Sequence, residues 1–99
     1  MKTNEEIKKE VEALKAIRPK VKPYSIFGDD NLANLDAQVN VLENNLDPDD
    51  IYEQYDHADA SEYVLEGALE ADNWRSGDSE SDSLAEDMPL KEGETYDSN

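Results

Sequence analysis

From Pro23 to Trp74 the chain runs 52 residues with 14 Asp and Glu and without a single Lys or Arg. Such a block cannot hold itself together by ion pairs. Like charges at i, i+4 on a helix cost about 0.2–0.5 kcal/mol per pair, and a net charge of −17 over 99 residues adds self-repulsion. The block must therefore fold on apolar stripes, and positive charge must reach it from elsewhere. Met1 to Lys22 holds seven basic and four acidic residues, net +3, whereas the other 77 residues hold two basic and 22 acidic, net −20. This asymmetry favours docking of the N-terminal segment against the acidic body.

The stripes have helical period. Over residues 4–18, Ile7, Val11, Leu14 and Ile17 recur at spacings of four, three and three. Asn4 reads as the N-cap, Glu5 and Glu6 suit the positive end of the helix dipole, and Pro19 stops the helix. Over residues 31–46, Leu32, Leu35, Val39, Leu42 and Leu46 follow a 3-4-3-4 spacing, the pattern of an antiparallel helix seam, with the first helix as the expected mate. The connector between them, residues 19–30, carries Tyr24, Ile26 and Phe27, apolar enough to pack under the helices. Gly28, Asp29 and Asp30 read as a turn that caps the second helix.

Asp47-Pro48-Asp49-Asp50 is a strong start signal: an Asp N-cap, Pro at the first helical position and acids in the first turn. The helix that follows runs to about His57, with Ile51, Tyr52 and Tyr55 on its apolar side. Ser61 reads as the cap of a fourth helix through Asn73, burying Val64, Leu65, Ala68, Leu69 and Ala71. From Gly77 the composition becomes acidic and rich in Ser and Gly, with Leu84, Met88 and Leu90 as isolated apolar points, so no buried surface offsets its chain entropy. The expected fold is all-α: a small bundle of three to four short helices over residues 1–76, then a disordered acidic C-terminal tail over residues 77–99.

Several function classes fall away on composition. Without cysteine there are no disulfides and no thiolate metal sites. No apolar run approaches 18 residues, and the N-terminus has no apolar h-region, so neither a membrane span nor a signal peptide is expected. A surface of this sign repels nucleic acid and anionic lipid, which argues against direct binding of either. With one histidine, His57, and no apolar pocket to separate the pKa values of carboxylate pairs, neither nucleophilic nor acid–base catalysis has its parts. The acidic runs Asp47-Asp49-Asp50-Glu53 and Asp78-Glu80-Asp82-Glu86 lack the loop glycine of a calcium-binding hand. The expectation is a non-enzyme with no cofactor and no resident metal.

What remains is protein interaction. Ordinary helices mix charge signs, because opposite charges stabilise them; complete exclusion of Lys and Arg points to a surface shaped for a basic partner. The candidate residues are Asp49, Asp50, Glu53, Asp56, Asp59, Glu62, Glu66 and Glu70, with Tyr63 and Trp74 as aromatic anchors on the flank of the fourth helix beside Gly67. Ser79 and Ser83 each have an acid three residues on, an acidophilic kinase context.

At YSIFGDDNLANLDAQVNVL, DDIYEQY and LEGALEADNW, over roughly residues 5–76, the chain resembles small acidic proteins encoded by bacteriophages, prophages and plasmids. That resemblance carries no catalytic signature. It implies a bacterial cytoplasm and a mobile element that gains by disarming a host protein, a setting in which small acidic inhibitors of restriction or CRISPR nucleases are common. The expected function is an inhibitor that masks a basic, nucleic-acid-binding surface of a host protein, by charge alone or as a DNA mimic. The alternative is an adaptor that forms a homodimer or docks on a partner through its apolar stripes. A salt series separates the two, since charge-led binding weakens with ionic strength.

Overall fold

The computed structural model describes residues 1–21, 30–56, 62–78 and 82–88, and all regular structure within them is helical. Four α-helices follow in order: α1 (Asn4–Ile17), α2 (Asp30–Asn44), α3 (Pro48–Tyr55) and α4 (Glu62–Ser76). Single 3-10 turns lie at Arg18–Lys20 and Ala85–Asp87. The first cap falls one residue earlier than the sequence suggests. Thr3, not Asn4, is the N-cap of α1, because its hydroxyl accepts the Glu6 N–H at 3.1 Å while the Glu6 carboxylate accepts the Thr3 N–H at 2.9 Å. Asp47 caps α3 as expected, in the same reciprocal arrangement with Asp50.

Both long acidic helices end in a Schellman turn. Asn45, at φ 53°, lets the Leu46 N–H reach back to the Val41 carbonyl, and Gly77, at φ 87°, lets the Asp78 N–H reach the Asn73 carbonyl. The expected caps of α2 and α4 at Gly28, Asp29 and Ser61 lie outside the described residues, as do Tyr24, Ile26, Phe27, His57, Ser79 and Leu90.

α2 is the central element, and its mate corrects the sequence reading. Its most extensive packing is against α4, with α1 on a smaller flank. The 3-4 stripe does turn inward: Leu35 and Leu42 are buried and Leu32 and Val39 half-buried. A second row on the same helix is also buried, comprising Ala37, Gln38 and Val41, with Asn31 at its start. At 100° per residue the two rows together span about half the circumference, one half-face for α1 and the other for α4. The pairings fix direction. Arg18 meets Asp36 and Lys15 meets Glu43, so α1 runs antiparallel to α2. Asn34 Nδ2 donates to the Tyr63 carbonyl near the starts of α2 and α4, and Arg75 donates to the Leu46 carbonyl near their ends. α2 and α4 are therefore parallel, and α3 is the short return between them.

Close approach of these two helices depends on Gly67. It is buried, and a Cβ built there meets the Asn34 carbonyl oxygen at 2.6 Å. Any side chain would hold the helices apart. Asn34, which falls off the 3-4 stripe, is thus part of the principal seam, and its Oδ1 accepts from Gln38 Nε2 at 2.7 Å.

The charge asymmetry of the sequence is used internally. Arg18 holds Asp36 through two bonds of 2.8 and 2.9 Å, and Lys15 Nζ lies 2.6 Å from Glu43. Both pairs are half exposed and worth at most about 1 kcal/mol each, so they orient α1 more than they hold it. The hold comes from Val11 and Leu14, which join Leu35, Leu42, Ile51, Ala68, Ala71 and Trp74 in one core. Each large aliphatic side chain buried there contributes about 1.5–3 kcal/mol.

Within the span expected as an acidic tail, residues 82–88 pack on the bundle. Leu84, Ala85 and Met88 are core residues, Leu84 at 1% exposure, and the turn Ala85–Asp87 packs on α1. Glu10 explains why. Its carboxylate, buried on α1, accepts from Ser83 Oγ at 2.8 Å and from the Ala85 N–H at 2.9 Å, satisfying the start of that turn. Residues 89–99 lie outside the described residues.

Candidate functional site

Asp47 and Pro48 set the start of α3, and the frame they impose decides where its acids point. Ile51 turns fully inward and Tyr55 is half-buried, its hydroxyl accepting from Asn40 Nδ2 at 2.6 Å. The opposite side then carries Asp49, Glu53 and Asp56, at spacings of four and three, and all three are exposed. Tyr52, read as part of the apolar side, is instead 48% exposed. It stands three residues after Asp49 and four before Asp56, within the acidic row. Asp50 is separate. It is half-buried and its carboxylate accepts the Asp47 N–H, so it serves the helix start and not an outer surface.

On α4, Gly67, Ala68, Ala71 and Trp74 face inward and leave Glu62, Glu66 and Glu70 exposed along the outside, a carboxylate about every 6 Å. α3 packs on α4, so the two rows sit on neighbouring helices. Among the described residues, none of these six carboxylates enters an ion pair; the cations that do pair meet Asp36, Glu43 and Asp72 instead. Asp59 lies outside the described residues. Among the described residues, no group of three or more Asp, Glu or His side chains is placed to hold a metal ion, and no helix is long and apolar enough to cross a membrane.

The two aromatic candidates part company. Tyr63 is 40% exposed beside Glu62 and Glu66, as an anchor must be. Trp74 is 3% exposed and is a core residue: its Nε1 donates to the Asp82 carbonyl at 3.2 Å and Lys2 Nζ stands 5.0 Å from the ring centroid. It is withdrawn from the partner-binding set. Helical spacing placed it on the flank of α4, but residues 82–88 and the N-terminus cover that flank.

Arg75 escaped the sequence reading altogether. Ending the acidic block by one residue, it looks like a solvated last-turn cation, yet it is buried. Its guanidinium donates to the Leu46 carbonyl, to Asn45 Oδ1 at 3.3 Å and to the Asp72 carboxylate. It binds the α2–α3 corner to the end of α4, the planar fork matching three acceptors at once. Only its rarity was a signal in sequence, since it is the first cation after Lys22.

Compared with known protein families, with curated proteins and with solved structures, the chain matches none.

Proposed function

We propose that this protein is a non-enzymatic acidic inhibitor that covers a basic, nucleic-acid-binding surface of a host protein, such as a defence nuclease, in the bacterial cytoplasm. The observation that carries the reading is the pair of exposed rows, Asp49, Glu53 and Asp56 on α3 and Glu62, Glu66 and Glu70 on α4, with no ion pair to any described residue. Like charges in a row cost helix stability, and the described cations that do form ion pairs, Lys15, Arg18 and Arg75, meet Glu43, Asp36 and Asp72, which leaves these rows available to a partner. Duplex DNA carries one charge per about 1.7 Å of axis, against one per about 6 Å along a row. One row is too sparse to copy DNA, and two neighbouring rows still fall short. Charge masking therefore fits better than geometric mimicry. Tyr52 and Tyr63 stand within or beside the rows, where an aromatic face can take an arginine guanidinium between carboxylates.

The adaptor reading draws on the apolar stripes, and these are engaged inside the chain: Val11, Leu14, Leu35 and Leu42 are buried. The deciding experiment is capture of partners from a bacterial lysate at low and high salt by wild type, by Glu62→Gln/Glu66→Gln/Glu70→Gln and by Tyr63→Ala. Removing three charges is expected to slow association and flatten the salt dependence while the helical signal is kept. If the triple Gln protein binds like wild type at every salt concentration and Tyr63→Ala abolishes binding, the charge reading fails and apolar docking takes its place.

A further inference from the structure

Residues 82–88 hold a chemistry that the acidic rows do not use. Their attachment to α1 combines three buried apolar side chains, Leu84, Ala85 and Met88, with one carboxylate, Glu10, which Ser83 Oγ approaches to 2.8 Å. Ser83 is only half-covered, and it is flanked by Asp82, by Glu86 three residues on and by Asp87 after that. Acids at these positions are what a kinase with a basic substrate groove selects. We propose that Ser83 is a phosphorylation site for an acidophilic serine kinase, and that its modification unseats residues 82–88 from α1.

In the reaction the Ser83 oxygen forms a bond to the γ-phosphorus of ATP. The bond from that phosphorus to the bridging oxygen breaks, ADP leaves, and the hydroxyl proton passes to the base of the kinase. The product replaces a hydroxyl donor by a group carrying a charge of about −1.5 to −2 at neutral pH, with acceptor oxygens only. It would stand against the Glu10 carboxylate, whose two bonds come from Ser83 and from the Ala85 N–H. The donor that satisfied Glu10 is lost and a like charge is put in its place, in a buried setting where repulsion is poorly screened. Relief comes by lifting the segment, which also removes the Asp82 carbonyl from Trp74 Nε1. The inference rests on the contact of α1 with residues 82–88 and is independent of the acidic rows.

Trp74 is the only tryptophan and therefore reports the state of the segment. The test treats the full chain carrying Ser79→Ala and Ser81→Ala with an acidophilic serine kinase and magnesium ATP. Mass spectrometry locates the phosphate and tryptophan emission follows the segment. Expected are phosphate on Ser83 and a red shift of Trp74 emission, with a clearly smaller shift when Glu10→Gln is added, since Gln still accepts the Ala85 N–H but carries no opposing charge. The proposal is overturned if Ser83 stays unmodified, if it is modified without an emission shift, or if Glu10→Gln leaves the shift unchanged.

Discussion

Gly67→Ala tests the packing at the centre of the fold, because two effects of opposite sign meet there. In an isolated helix the change gains about 1 kcal/mol, since alanine restricts the unfolded chain and favours the helix. In this protein the new Cβ would lie 2.6 Å from the Asn34 backbone oxygen, 0.8 Å inside the 3.4 Å at which ordinary contact begins (3.4 − 2.6). Asn34 Cγ and Oδ1, at 2.6 and 2.7 Å, can swing away by losing the bond to the Tyr63 carbonyl, but the backbone oxygen cannot move without α2. Overpacking of this kind costs about 1–3 kcal/mol, at the upper end when the obstacle is backbone. The net expectation is a loss of about 1–2 kcal/mol. For a domain of this size that lowers Tm by about 4–16 °C, read by thermal melting in far-ultraviolet circular dichroism. Adding Asn34→Ala should recover only part of the loss. A higher Tm for Gly67→Ala would mean that propensity wins, that the two helices do not approach this closely, and that α4 is not the principal mate of α2.

Leu84→Ala is expected to destabilise by about 2–5 kcal/mol and to shift Trp74 emission; wild-type stability would show that residues 82–88 do not contribute to the core. Arg75→Ala leaves the Asp72 carboxylate and the Leu46 carbonyl without their donor, for an expected loss of about 2–4 kcal/mol in urea unfolding. Arg75→Lys should restore little of it, because an ammonium cannot serve three acceptors in a plane; full rescue by Lys would contradict the fork geometry. The Thr3 backbone N–H, and after it the Thr3 hydroxyl, hold the Glu6 carboxyl below the ordinary glutamate range. A folded-state value below the unfolded one means that the capping contribution is present above the ordinary glutamate value and is lost as pH falls through the lowered one. In an NMR titration Glu6 should titrate below the ordinary glutamate range, and Thr3→Ala should raise it only in part, since the backbone donor remains.

Local chemistry accounts for what could be read in advance. Pro19, the Asp47-Pro48 start and the acid-rich first turns act within a few residues of themselves, so helix number, type and most boundaries followed from order along the chain. The same holds for the pairing of α1 with the acidic body, because Met1 to Lys22 holds seven of the nine basic residues. Tertiary structure decided which helix partners α2. A period of 3-4 identifies one buried row but is blind to a second row made of Ala37, Gln38 and Val41, whose burial depends on a helix some thirty residues away approaching over Gly67. Composition was also misleading at Trp74 and Leu84 and silent at Glu10 and Arg75. All four are buried, by contacts whose partners lie far along the chain or on another element: Ser83 with Glu10, Asp82 and Lys2 with Trp74, Leu46 with Arg75. Charge and apolar spacing are properties of a segment, and they determined what kind of chain this is; burial is a property of the pair of surfaces that meet, and only the fold brings those surfaces together.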